Sequence, residues 1–157
     1  PDEGEVNEAT REALAPFERN GESPYAVQHD LQGMMQDLAG IVRKETEMVR
    51  ALEALEKLKA RAATVGVTGN REYNPGWHTA LDLRHLLTVS EAIVASALAR
   101  RESRGGHFRD DYPEKDKNFS SFNFIARRRG DGDLELAKEP IAPLPAELQQ
   151  IIEEMQS

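Results

Sequence analysis

The chain has 157 residues, a net charge of −8, 39% hydrophobic and 31% charged side chains. That length suits one domain with appendages and a modest core. It has no cysteine, which excludes disulfides, cysteine-ligated zinc and thiol catalysis, and no run of about eighteen apolar residues spans a membrane.

Pro1-Asp2-Glu3-Gly4 is neither a methionine start nor a signal peptide and reads as a cut inside a longer chain. Residues 5–19 carry a helical stripe of Val6, Ala9, Ala13, Leu14 and Phe17, with Pro16 expected to bend or stop the helix near Ala15. Asn20-Gly21-Glu22 reads as a turn. Ser23-Pro24 is the N-cap and first residue of a second helix, whose apolar face is Val27, Leu31, Met34, Met35 and Leu38. Gly33 and Gly40 weaken that helix unless they permit close packing.

A third helix is expected from Glu45 to Thr64, with Met48, Leu52, Leu55, Leu58 and Ala62 on one side, a Glu53–Lys57 pair, and Gly66 closing it. Val67 to Glu72 is a polar connection, and Tyr73-Asn74-Pro75-Gly76 is turn chemistry. A long helix then runs from about His78 to Ser103. Its broad face of Leu83, Leu86, Leu87, Ile93, Val94, Ala97 and Leu98, widened by Leu81, Val89 and Ala92, implies burial against more than one neighbour.

Beyond Pro113, Phe122–Ile125 and Leu134–Ala137 flank a Gly130-Asp131-Gly132 turn and read as a β-hairpin. Pro140, Pro143 and Pro145 form an extended strap, and Ala146 to Met155 a short amphipathic helix. The expected fold is therefore mainly α: an antiparallel three-helix-type bundle with a small C-terminal β-hairpin and a short terminal helix. Residues 1–22 are a helical lead-in from a preceding domain, 23–113 the bundle core, and 114–157 the hairpin, strap and last helix.

Acidic side chains dominate residues 1–37 and 130–157, whereas residues 99–129 are basic. That basic stretch lacks the interleaved stacking aromatics of a nucleic-acid reader, and an acidic protein surface is its better partner. The histidines, His29, His78, His85 and His107, make no His-x-x-Glu-His grouping or His–His i,i+4 pair, so no metal site is expected. His85 reads as packed or hydrogen-bonded, and Asp82 with His78 as a non-specific acid–histidine pair. Ser103 and His107 lie too close in sequence, in too basic a setting, to be a nucleophile and its base.

The long helix ends in Arg100-Arg101-Glu102-Ser103-Arg104-Gly105-Gly106-His107-Phe108-Arg109-Asp110-Asp111-Tyr112-Pro113. The glycines there suit the left-handed conformation that closes a helix. The segment resembles the Glu-Ser-Arg-Gly-x-His-x-Arg-x-Asp-x-Pro stretch near the C-terminus of the succinate dehydrogenase/fumarate reductase flavoprotein subunit family. Leu31-Gln32-Gly33-Met34-Met35, Gly40-Ile41-Val42-Arg43 and Tyr73-Asn74-Pro75-Gly76-Trp77-His78 resemble that subunit too. The likeness runs from about Pro24 to Pro113, with Gly106 standing where alanine is usual.

The resemblance implies the helical C-terminal domain of a FAD-dependent enzyme that interconverts succinate and fumarate. It also implies partners: the FAD-binding domain of the same chain and an iron–sulfur subunit, with the assembly cytoplasmic and peripheral on a membrane through other subunits. The chain lacks a Gly-x-Gly-x-x-Gly turn, so no cofactor-binding or catalytic residue is expected in it. Arg100, Arg101, Ser103, Arg104, Gly105, His107, Arg109 and Asp111 are the expected docking motif, their guanidinium forks gripping a neighbour and Asp110 or Asp111 balancing charge internally. L-aspartate oxidase and a stand-alone helical interaction module are the alternatives.

Overall fold

The computed structural model describes residues 2–130 and 132–156. Pro1, Asp131 and Ser157, with the side chain of Gln156, lie outside the described residues. So do the expectation made for the first residue and the middle of the Gly130-Asp131-Gly132 turn. The chain forms two compact units, Pro1–Lys115 and Asp116–Ser157.

In the first unit, α1 (Glu3–Glu18) starts where Asp2 Oδ1 accepts from Gly4 N at 3.2 Å, with Glu3 and Glu5 complementing the helix dipole. The expected break near Ala15 does not occur. Pro16 lies inside the last turn, is the buried residue of this helix, and its carbonyl accepts from Val67 N at 2.9 Å. A proline so near the end removes one helical donor while its ring gains contact.

The Ser23-Pro24 pair starts α2 (Pro24–Ala39), although Ser23 makes no side-chain cap bond. Val27 and Leu31 are buried, and Met34, Met35 and Leu38 pack at the core edge. Gly33 does not serve a close approach: a Cβ there would meet nothing within 4 Å. The close approach falls at Gly21 and Gly66. A Cβ on Gly21 would lie 1.8 Å from the Thr64 carbonyl oxygen, and one on Gly66 2.3 Å from that of Arg19. Gly66 therefore seats one connection on another and closes no helix, since α3 (Glu45–Ala62) has already ended.

Met48, Ala51, Leu55 and Leu58 of α3 meet Val27 and Leu31 of α2 and Leu83, Leu87, Val94 and Ala97 of α4 (Pro75–Ala99). These three helices pack mutually as the bundle expected from the sequence. The long helix starts three residues earlier than expected because Asn74 is its cap: Oδ1 accepts from Trp77 N at 3.0 Å, with Pro75 in the first turn. It stops four residues short of Ser103. Only part of its broad apolar face is covered; Leu81, Leu86, Val89 and Ile93 are exposed. Trp77 fastens α1 to α4 by donating Nε1–H to the Ala13 carbonyl at 2.7 Å, its ring 5.4 Å from that of Phe17.

Two short strands complete this unit: β1 (Val42–Arg43) pairs in parallel with β2 (Phe108–Arg109). In the second unit, β3 (Phe122–Arg128) and β4 (Leu134–Pro140) form the antiparallel hairpin, with Ile125 opposite Ala137. Phe119, Phe122 and Phe124 cluster with centroids 5.3–6.4 Å apart. Pro140 closes β4 and so belongs to the hairpin, leaving Ile141–Pro145 without regular structure before α5 (Ala146–Gln156). Among the described residues no helix is long and apolar enough to cross a membrane.

Candidate functional site

The arginine-rich segment folds back on the end of α4 and beneath the start of α3. Leaving the helix at Arg100, the chain makes a tight turn in which Arg104 and His107 exchange backbone hydrogen bonds of 2.8 and 3.0 Å. Gly105 takes φ +58° at its tip, the left-handed conformation that glycine adopts at no steric cost. The glycines thus serve this turn and do not close the helix. The turn delivers His107, Phe108 and Arg109 alongside β1, where Asp110 N donates to the Arg43 carbonyl at 2.9 Å.

Arg109 is 0% exposed. Its Nη1 donates to the carbonyls of Ala97 (3.0 Å), Leu98 (3.2 Å) and Arg100 (3.2 Å). A helix end leaves its last carbonyls without donors, and a guanidinium there answers both the missing bonds and the negative end of the dipole. Nε and Nη2 make the two-pronged pair with Asp111 at 2.7 and 2.8 Å, and the cation lies 4.9 Å from the Tyr112 ring centroid. Asp111 Oδ2 also accepts from Glu45 N at 2.9 Å, at the first residue of α3. The bonds from Arg109 hold the Asp111 carboxyl down to about 2.

Glu102, also 0% exposed, accepts from Arg100 Nη1 at 2.6 Å and from Arg104 Nε and Nη2 at 2.8 and 2.9 Å. Ser103 Oγ accepts from Arg109 N at 2.8 Å and donates to the Tyr112 carbonyl at 2.9 Å. His107 sits between the Arg43 guanidinium and the Arg100 carbonyl.

Much of the expected docking motif finds partners within its own chain. Arg109 is enclosed, because a buried charge needs acceptors close by and its own chain supplies them. Arg100 and Arg104 clasp Glu102 at the elbow. Arg101 remains at the surface, 58% exposed and 3.6 Å from Glu45. Of the two candidates for internal balance, Asp111 takes the role, while Asp110 pairs with Lys44 at 3.2 Å on the exposed side. Arg43, Glu45 and Glu102 are members of the cluster to which the sequence reading gave no role. The signal available for Arg43 was its place in Gly40-Ile41-Val42-Arg43, one of the segments of resemblance.

His85, expected to be packed or hydrogen-bonded, lies exposed on α4, and His78 meets the edge of Trp77 at 6.0 Å between centroids. Among the described residues no group of His, Asp and Glu is arranged to hold a metal ion. The clasp is a device of charge and hydrogen bonds that joins helix ends.

Residues 28–152 match the family described as fumarate reductase flavoprotein C-term. The chain belongs to this family. It is 33% identical over 129 residues to the fumarate reductase flavoprotein subunit of Mycobacterium tuberculosis, covering 82% of this chain and 22% of that subunit. The L-aspartate oxidase of Acinetobacter baylyi is 38% identical over 88 residues, covering 54% of this chain and 15% of that one. Among solved structures, Mycobacterium smegmatis Sdh1 in complex with UQ1 superposes with a TM-score of 0.89 at 44% identity, covering 99% of this chain and 27% of that one. The chain thus spans about a quarter of the length of the fumarate reductase subunit and of Sdh1, as their helical C-terminal domain.

Proposed function

We propose that this domain braces the flavin-bearing part of a FAD-dependent oxidoreductase subunit that interconverts succinate and fumarate and passes electrons to an iron–sulfur partner. The superposition on a succinate dehydrogenase over 99% of the chain is the observation that carries this reading. L-aspartate oxidase is the weaker alternative, because its match covers 54% of the chain against 82% for the fumarate reductase subunit.

Within the reading, the domain works through its surface. Leu86, Val89 and Ile93 stand one helical turn apart on the uncovered side of α4, Ile41, Val42 and Phe108 are exposed beside the clasp, and Arg101 is exposed near Glu45. Apolar rows of this kind favour a protein neighbour, and Arg101 suits a carboxylate on it. The subunit would sit peripherally on a membrane through its partners. The test is the intact subunit assayed with succinate, fumarate and L-aspartate, alongside Val89→Glu. Turnover of the C4 dicarboxylates, with flavin lost from the variant, supports the reading; oxidation of L-aspartate alone overturns it.

A further inference from the structure

His107 touches two segments with opposite edges of its ring. Nδ1 lies 2.9 Å from Arg43 Nη1, and Nε2 lies 3.2 Å from the Arg100 carbonyl oxygen. A guanidinium only donates and keeps its charge at all working pH values. Nδ1 must therefore accept, which places the ring's one proton on Nε2, where the Arg100 carbonyl takes it. The neutral imidazole satisfies both neighbours; the imidazolium has a donor turned against a donor.

The surroundings offer the imidazolium little compensation. Arg43 faces it from β1, Arg100 from the end of α4, and Arg109 from β2. The nearby carboxylates are engaged elsewhere: Glu102 with Arg100 and Arg104, Asp111 with Arg109, and Asp110 with Lys44. On its other side Arg43 donates Nε–H to the Ala39 and Gly40 carbonyls at 3.3 and 2.9 Å. The His107–Arg43 contact is thus a side-chain link from the end of α2 to the elbow, beside the Lys44–Asp110 pair.

We propose that His107 is an acid-sensitive latch, whose protonation releases Arg43 and opens the pairing of β1 with β2. Burial, with the charges of Arg43, Arg109 and Arg100, holds the ring below the ordinary imidazole range against the pull of the Arg100 carbonyl. The closed form is therefore fully favoured above that range and loses ground as pH falls toward the lowered value. Ile41, Val42 and Phe108 ride on the segments that come free, so the exposed apolar patch changes shape with the proton. The latch stands on this chain's own contacts and does not depend on which substrate the intact subunit turns over.

The experiment is hydrogen exchange by mass spectrometry on the intact subunit, at about pH 7.5 and about pH 5.5. Peptides covering residues 40–45 and 104–111 are followed and corrected for the intrinsic rate. In the wild type the open fraction rises by up to about tenfold for each pH unit between the two pKa values. His107→Gln, which keeps a donor and an acceptor but takes no proton, loses this acid response. Arg43→Met, which removes the opposing cation, shrinks it independently. Equal protection at both pH values in the wild type, or an acid response undiminished in either variant, overturns the proposal.

Discussion

Arg109 and Asp111 form a two-pronged ion pair of 2.7 and 2.8 Å in which each partner also closes a different helix. Arg109 supplies donors to the last carbonyls of α4, and Asp111 accepts from the first amide of α3. Positive charge meets the C-terminus of one dipole and negative charge the N-terminus of the other, so both signs are favourable. Asp111→Asn keeps the shape but leaves the buried Arg109 with Glu45, 3.7 Å away, as its remaining carboxylate. Breaking this partly exposed pair costs about 1–3 kcal/mol, read as a lower urea midpoint with unchanged slope.

The same carboxylate sets an acid limit. Its folded pKa is about 2 against an ordinary 3.8. A depressed folded value means the contribution is complete above the ordinary value and disappears as pH falls from there through the folded one. Unfolding midpoints measured down that window should decline, and Asp111→Asn should flatten the Asp111 share of the decline.

The glycines predict effects of opposite sign. Gly33 lies inside α2 with nothing within 4 Å of a new Cβ, so Gly33→Ala should stabilise by about 1 kcal/mol. Gly21→Ala would press a methyl against the Thr64 carbonyl at 1.8 Å. Overlap with backbone forces the two connections apart, and a loss of about 1–3 kcal/mol is expected. Thermal melts of both variants, compared in one buffer, check the pair.

Trp77→Phe keeps a ring against Phe17 but removes the Nε1–H bond to the Ala13 carbonyl. A single hydrogen bond of this kind contributes about 1 kcal/mol. The loss should appear locally, as faster amide exchange in α1 with α3 little changed.

The parts of the fold readable from the sequence were those in which neighbours along the chain decide the outcome. Ser23-Pro24 started α2, the apolar spacing of Met48, Leu55 and Leu58 traced α3, and alternation around the Gly-rich turn produced the hairpin. The ends of α4 were misread for two different reasons. Pro75 and Gly76 look like turn residues, yet with Asn74 as cap they form the first helical turn. The C-terminal end is set by Arg109, a side chain about ten residues downstream, which no local pattern encodes. Charge in a sequence window looks solvated; yet the buried Arg109 lies 3.7 Å from Glu45 and His107 lies 2.9 Å from Arg43, partners far away in the sequence. The motif was therefore visible in the sequence, while the partners its guanidinium groups find within the chain were not.

Because one side chain grips the tail of α4 and its ionic mate grips the head of α3, the two rods are pinned in longitudinal alignment. A slide by one residue is about 1.5 Å, enough to carry the Ala97 and Leu98 carbonyls out of the guanidinium's reach. Forces applied to the uncovered flank of α4 should consequently move the pair as one piece, which makes the elbow a registration pin for the whole bundle.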